Sequence, residues 1–222
     1  MKNKILILAV LIVAAISQTS AQIQRCISLA REGNFDEALQ YVKNAEKQGV
    51  PPKDINYFYG CVYFIKGDCP TARSYYTEAI NLAPDDWHPY FDRAAVYSQE
   101  GSYNKALKDI NEAINLAGEH YFYALNARGV IYAKSGRYKL AMNDFNSCIS
   151  QRPDNPDTYI NIGNMLMQQK KYAEAEQQYT KAISLDANNI SAYNNRATAR
   201  EMLFDLDGAQ ADADTYNQLI MR

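Results

Sequence analysis

The feature that most constrains the fold is an internal repeat with a period of about 34 residues, a length typical of stacked helical units. Three segments align with one another, beginning at Gly60, Gly129 and Gly163, and a fourth begins at Ala94. Units of this kind bury their apolar faces against their neighbours. The chain is therefore predicted to form a stack of repeated elements.

Each repeat is predicted to contain two helices joined by a turn. In the second repeat, two apolar stripes at helical spacing lie on either side of Gly67, and Pro84 ends the repeat. The stripes consist of Tyr59, Gly60 and Tyr63 in the first helix and Ala72, Tyr76 and Ala79 in the second. Gly60 and Ala72 are small because two helix backbones approach closely only where no bulky side chain lies between them.

At these residues the sequence resembles the tetratricopeptide repeat family, over essentially the whole chain from residue 22 to residue 222. The resemblance implies an all-α fold, a right-handed α-solenoid of about six helix-turn-helix repeats. The ends match less well, since the sixth repeat has Phe204 in place of the turn glycine, and we expect its last helix to be uncovered. The predicted repeats are residues 19–52, 53–86, 87–121, 122–155, 156–189 and 190–222.

Residues 1–21 are predicted to be a signal peptide. Lys2 and Lys4 precede an apolar run from Ile5 to Ile16, and the small-residue sequence 19–21 follows. We therefore expect cleavage after Ala21 and a periplasmic or secreted protein. The apolar run is shorter than the ~20 residues that a membrane span needs, so no membrane span is expected.

Charge and composition argue against several classes of function. The chain has a formal net charge of −2, and loss of Lys2 and Lys4 would make it more acidic, so nucleic acid is not an expected partner. With only His88 and His120 and no CxxC spacing, the sequence offers little for a metal site, and no cofactor is expected. It contains no GxSxG, HExxH or phosphate-binding glycine loop, so we do not expect an enzyme.

The four cysteines allow two interpretations in an oxidising compartment. Cys26 and Cys148 occupy places where the repeat requires a small buried residue, which favours reduced thiols that pack as small apolar groups. Cys61 and Cys69 lie closest in sequence and within one repeat, so they are the pair most compatible with a disulfide. The spacing favours no connectivity strongly.

An arginine and an aspartate recur at one constant spacing, at the same two places of three repeats. Repeats without the arginine also lack the aspartate. The first repeat is the exception to this pairing, because it has the arginine, Arg25, but carries Tyr41 at the aspartate place. The places lie on the packing stripe, so we predict structural ion pairs between the two helices of a repeat, in preference to ligand-binding arginines. The pairs are Arg93 with Asp109, Arg128 with Asp144, and Arg196 with Asp212.

The resemblance also implies a concave groove lined by the first helix of each repeat, where an extended segment of a partner binds. The corresponding places are aromatic in the earlier repeats and rich in asparagine in the later ones. Aromatic rings can hold an apolar anchor or pack between repeats, whereas carboxamides can pair with a peptide backbone. The predicted groove residues are Tyr57, Phe58, Phe64, Phe91, Tyr123, Asn126, Asn161, Asn164, Asn194 and Asn195, with Cys61, Asp92 and Ile160 at further groove places.

The sequence therefore predicts a scaffold that binds another protein or a peptide. One subclass of the family grips a C-terminal carboxylate with basic groove residues, but the matching places here carry no basic residue. They are Asn126, Val130, Asn161, Ser191 and Asn195. The alternative prediction is a structural protein that self-assembles as a homodimer through its uncovered C-terminal helix.

Overall fold

A computed structural model describes residues 23–118 and 121–221, and the predicted signal peptide lies outside these residues. The described residues form twelve helices and no strand, in agreement with the predicted all-α fold class. The helices are α1 (residues 23–31), α2 (Phe35–Lys47), α3 (Pro52–Ile65), α4 (Cys69–Leu82), α5 (Trp87–Gln99), α6 (Tyr103–Leu116), α7 (Tyr121–Lys134), α8 (Tyr138–Gln151), α9 (Pro156–Gln168), α10 (Tyr172–Leu185), α11 (Ile190–Met202) and α12 (Leu206–Ile220).

The described residues form two compact halves, an N-terminal half (residues 23–118) and a C-terminal half (residues 121–221). The described part of each half contains three helical hairpins, in which an odd-numbered helix pairs with the even-numbered helix that follows it. Odd-numbered helices also contact one another directly within a half, α3 with α5, α7 with α9, and α9 with α11. We call the surface that these odd-numbered helices form in each half its first-helix face.

The turn inside each hairpin requires one residue in the left-handed backbone region. Glycine occupies it in four hairpins, for example Gly67 with a φ of 86°. Lys170 and Phe204 adopt the same conformation with φ values of 60° and 63°, which is costly for residues with a Cβ. The Asp205 N–H still donates to the Arg200 carbonyl across that turn, so the hairpin geometry is kept without glycine.

The closest approach within a hairpin occurs where a glycine faces an aromatic ring. A Cβ added to Gly60 would lie 2.5 Å from Tyr76 Cε1, and one added to Gly129 would lie 2.6 Å from Phe145 Cε1. The third repeat carries Ala94 at the glycine place, and the fully buried Ile110 takes the place of the ring. Glycine therefore occurs where the partner helix contributes a large flat ring, and alanine where it contributes a smaller side chain.

All four cysteines are buried thiols in this structure. Cys26 Sγ donates to the Ala38 carbonyl at 3.9 Å, and Cys148 Sγ donates to the Phe122 carbonyl at 3.8 Å. Burial raises the pKa of the Cys26 thiol to about 11, so this thiol stays protonated at neutral pH and packs as a small weakly polar group.

Two further observations concern only the described ranges, 23–118 and 121–221. None of their helices combines the length and apolar character required of a membrane span. No group of three or more His, Cys, Asp or Glu side chains within these ranges is placed to hold a metal ion.

Candidate functional site

The recurring arginines and aspartates form bidentate ion pairs that connect the two helices of one hairpin. Arg93 Nε donates to Asp109 Oδ2 at 2.6 Å, and its Nη2 donates to Oδ1 at 2.9 Å. The carboxylates are almost fully buried, with Asp109 at 5% and Asp212 at 3% exposure, so these groups serve packing and are not free to bind a ligand. Arg128 with Asp144 and Arg196 with Asp212 have the same geometry, with N–O distances between 2.6 and 2.8 Å.

Two of these pairs include a threonine that was not predicted from the sequence. Arg93 Nη1 donates to Thr77 Oγ1 at 3.0 Å, and Arg196 Nη1 donates to Thr180 Oγ1 at 3.0 Å. Each threonine lies on the second helix of the preceding hairpin, so the arginine connects two hairpins as well as two helices. The signal was present in the sequence, because each threonine precedes its arginine by the same interval that separates arginine and aspartate.

A second arginine shares the aspartate of the last hairpin. Arg200, at the end of α11, donates from Nη1 to Asp212 Oδ2 at 3.0 Å and from Nε to Glu176 Oε1 at 2.8 Å. Its Nη1 also donates to the Gly208 carbonyl at 3.2 Å. Arg200 therefore connects α10, α11 and α12, a role that the constant arginine–aspartate spacing could not reveal.

Phe58 does not line a ligand-binding surface, and its prediction as a groove residue was wrong. Its side chain is 1% exposed and packs with Val42 of α2 in the core of the first hairpins. The reason is that α3 has two packing stripes, one toward α4 and one toward the preceding hairpin, and Phe58 lies on the second with Ile55 and Val62. Two other predicted groove places are buried, Cys61 at 5% and Ile160 at 8% exposure.

Tyr57 lies at the contact of α3 and α5 and forms a hydrogen bond with the carboxylate of Asp92. Its hydroxyl donates to Asp92 Oδ2 at 2.8 Å, and Cys61 Sγ lies 4.0 Å from the same oxygen. Burial raises the pKa of Asp92 to about 6, although the Tyr57 hydrogen bond and the nearby His88 act to lower it. Asp92 as a whole residue is partly buried at the first-helix face, and its carboxylate is withdrawn from water strongly enough for burial to be the main cause of the raised pKa.

Asp92→Asn is expected to raise the free energy of unfolding at pH 7.5 by about 1 to 2 kcal/mol, below the full linkage value because Asp92 is a partly exposed residue and its surroundings can relax around the charge. The folded-state pKa lies above the unfolded one, so ionised Asp92 destabilises the fold above about pH 6. The difference between variant and wild type should shrink as the pH falls toward 4. Urea denaturation at pH 7.5 and pH 4.5 tests this, with the exposed Asp157→Asn as control. A difference that does not change with pH would contradict it.

The remaining predicted aromatic residues differ in accessibility. Phe64 is partly buried against the cluster around Tyr76, and Phe91 packs edge-on against Trp87 at 5.7 Å between ring centroids. Tyr123 is 47% exposed, and Arg152 holds it through a hydrogen bond of 3.1 Å from Nη1 to the hydroxyl. Tyr123 is therefore the groove aromatic best placed to contact a ligand.

The asparagines of the C-terminal half are brought together across three helices. Asn161 Nδ2 of α9 donates to Asn126 Oδ1 of α7 at 3.3 Å, and Asn195 Nδ2 of α11 donates to Asn164 Oδ1 of α9 at 3.0 Å. The buried Tyr179 orients Asn164 by donating its hydroxyl to the same oxygen at 2.8 Å. Asn194 is exposed beside this row.

These contacts leave the carboxamides with unused hydrogen-bonding capacity. Asn161 and Asn195 each use one N–H in the bonds above, which leaves a second N–H and a carbonyl oxygen for another group. An extended peptide presents an N–H and a C=O at each residue and matches this combination of donors and acceptors. The first-helix face of the C-terminal half therefore has the chemistry to bind a peptide backbone.

The sequence matches known families and proteins over most of its length. Family models described as tetratricopeptide repeat match residues 25–86, 88–120, 122–155 and 156–189, together more than half of the chain. Human "Tetratricopeptide repeat protein 6" is 28% identical over 194 residues, covering 82% of this chain and 37% of the relative. "Hsp70-Hsp90 organizing protein 1" of Arabidopsis thaliana is 27% identical over 176 residues, 63% of this chain and 31% of the relative.

A solved structure supports the fold. A tetratricopeptide repeat protein from Parabacteroides merdae superposes with a TM-score of 0.65 at 21% identity, covering 91% of this chain and 80% of that chain. The chain spans only about a third of the length of the two relatives named above. The similarity therefore concerns the repeats and not the whole of those longer proteins.

Proposed function

Since the chain belongs to the tetratricopeptide repeat family, we propose that it is a non-enzymatic scaffold that binds extended segments of other proteins along the first-helix face of each half. The row of carboxamides formed by Asn126, Asn161, Asn164 and Asn195 carries this proposal. These side chains are held in place by one another and by Tyr179, so little conformational entropy is lost when a ligand binds. Tyr123 offers an exposed ring for an apolar side chain of the same segment.

A relative supports the protein-binding class. The Arabidopsis protein that resembles this chain is named for organizing Hsp70 and Hsp90, two other proteins. The proposed binding mode here relies on amides rather than on basic residues, because the groove places that would grip a terminal carboxylate carry Asn126, Asn161 and Asn195. The ligand is therefore proposed to be bound through internal backbone groups.

The double variant Asn161→Ala/Asn195→Ala is expected to weaken peptide binding by about 1 to 3 kcal/mol, because it removes two carboxamides that can pair with a backbone. Peptides would first be selected from a displayed library of random 16-residue sequences on the purified chain, and their affinities measured by fluorescence anisotropy. The melting temperature should barely change, since neither side chain is buried in the core.

Asn146→Ala is the matched control, because Asn146 is exposed on α8, away from the carboxamide row. Its peptide affinities should equal those of wild type. Selected peptides that bind the double variant as tightly as wild type would show that the carboxamide row does not hold the ligand. A library from which nothing is enriched would exclude an unstructured peptide as the ligand class.

We further propose that binding takes place in the periplasm or outside the cell. The support is the sequence of residues 1–21, in which Lys2, Lys4 and an apolar run precede a small-residue site. N-terminal sequencing of the exported protein is expected to begin at Gln22. A chain that retains Met1 would contradict both the cleavage site and the proposed compartment.

A second candidate function is self-association through the last hairpin. Four apolar side chains are exposed on α12 or directly beside it, at 55% to 89% of their surface. They are Phe204, Leu206, Ile220 and Met221. Phe204 and Leu206 lie at the start of α12, and Ile220 and Met221 lie at its end, so each pair offers a small apolar area for a contact between copies. Light scattering on the purified chain would detect a dimer, and Leu206→Ser with Ile220→Ser should then return it to a monomer.

A further inference from the structure

Asp92 differs from the aspartates of the recurring ion pairs in its partners. Asp109, Asp144 and Asp212 each receive a bidentate arginine. Asp92 instead contacts the Tyr57 hydroxyl and the Cys61 thiol, and no lysine or arginine in the part of the chain that the structure describes forms an ion pair with it. Tyr76, on α4, lies beside Tyr57 with 5.9 Å between ring centroids. A partly buried carboxylate is thus surrounded mainly by uncharged groups.

An ionised Asp92 is energetically unfavourable in these surroundings unless a cation binds to it. Moving a carboxylate out of water carries a desolvation penalty, which a hydrogen bond from one hydroxyl offsets only in part. The raised pKa of Asp92 is the sign of that penalty. The other three aspartates show how this fold satisfies a buried carboxylate elsewhere, because each is neutralised by a guanidinium.

The carboxylate is also positioned to receive a group from outside. Asp92 lies on α5, on the first-helix face of the N-terminal half, and remains partly exposed. Tyr57 holds Oδ2, whereas no group within the described ranges donates a hydrogen bond to Oδ1. His88 lies beside Tyr57 with 6.1 Å between ring centroids, but its Nδ1 lies 2.7 Å from Asp86 Oδ1, so this histidine pairs with a different carboxylate.

We propose that Asp92 is a recognition site for a lysine or arginine side chain of a protein segment bound on the first-helix face of the N-terminal half. This inference rests on the proposed function and specifies one property of the ligand, a basic residue at a fixed position. The cation would bind Oδ1 and neutralise the carboxylate, while Tyr57 keeps Oδ2 in place. The site selects a positively charged side chain at one position of the segment and places no requirement on the residues beside that position.

The test uses Asp92→Asn, which keeps the shape of the side chain and an acceptor for the Tyr57 hydroxyl. The random 16-residue library is selected in parallel on wild type, on Asp92→Asn and on the control Asp154→Asn, which removes an exposed acidic charge from the turn before α9. Peptides from wild type and from the control are expected to share a lysine or arginine at one recurring position. Peptides selected on Asp92→Asn should lack this preference.

The decisive measurement is a double-mutant cycle on one selected peptide. Replacing its conserved basic residue by norleucine should lower the affinity for wild type at least tenfold and leave the affinity for Asp92→Asn unchanged. An equal loss on both proteins, or selected peptides without a basic preference, would overturn the inference. If peptides without a basic preference still bind more weakly to Asn161→Ala/Asn195→Ala than to wild type, the proposed function is retained and only the role of Asp92 is rejected. If wild type enriches no peptide, both proposals are rejected.

Discussion

Replacing Gly129 by alanine is expected to lower the free energy of unfolding by about 2 to 3 kcal/mol. The result would run against helix propensity, because alanine stabilises a helix interior by about 1 kcal/mol relative to glycine. The new Cβ would lie 2.6 Å from Phe145 Cε1 and 2.9 Å from Cδ1. Phe145 is fully buried, so its ring cannot move aside without disturbing the packed core around it.

The third repeat supplies the control for this prediction. Its corresponding residues are Ala94 and Ile110, both fully buried, so the double variant Gly129→Ala/Phe145→Ile copies a pair that already packs in this chain. Urea denaturation should show that the double variant recovers most of the stability that the single variant loses. If Gly129→Ala unfolds within about 0.5 kcal/mol of wild type, the hairpin is less tightly packed than these distances indicate.

Asp144→Ala is expected to destabilise the protein by about 2 to 4 kcal/mol. Asp144 accepts two hydrogen bonds from Arg128, both of 2.8 Å, and its side chain is 9% exposed. Removing the carboxylate leaves the guanidinium without this counterion in a partly buried position, where water replaces it poorly. Urea is the suitable denaturant, because guanidinium chloride would screen the charges under test.

The fifth repeat provides the matched control for the ion pair. It carries Ile162 and Gln178 at the two places, so Arg128→Ile/Asp144→Gln removes both charges together. This double variant should be more stable than Asp144→Ala, because no uncompensated charge is left between α7 and α8. Asp154→Ala, in the exposed turn before α9, should change stability by less than about 0.5 kcal/mol. If Asp144→Ala also changed stability by less than about 0.5 kcal/mol, the Arg128–Asp144 pair would be exposed to solvent rather than partly buried.

The repeat pattern was sufficient to predict the all-α fold, because the constant period and the small residues at Gly60 and Gly129 leave few alternatives to stacked hairpins. The repeat pattern was not sufficient to predict which side chains lie on the surface. Phe58 was placed in the groove on the assumption that a first helix has one packing stripe, whereas α3 also packs against the hairpin before it. A period in the sequence identifies equivalent places, but whether a place is covered depends on the neighbouring hairpin.

The partners of polar groups were predictable only where they repeat. The constant spacing of arginine and aspartate occurs three times, and the structure forms ion pairs at all three. The Tyr57–Asp92 contact joins positions 35 residues apart, and Asn126 and Asn161 are joined at the same separation in the later repeats. Because the residue types differ between these two contacts, the sequence pattern did not identify either of them. Arg200 was equally hard to identify, because its three acceptors come from three different places of the repeat.

The contact that joins Thr77, Arg93 and Asp109 has a consequence for how such a chain can grow. The three residues come from two adjacent hairpins at equal intervals of 16, and together they span less than one repeat length. A duplication of about one repeat length that begins at Thr77 therefore carries the complete set and connects the new hairpin to the old one at once. A duplication that begins at Trp87 leaves the threonine behind and presents Asn111 at its place, so the start of the duplicated segment decides whether this hydrogen bond is inherited.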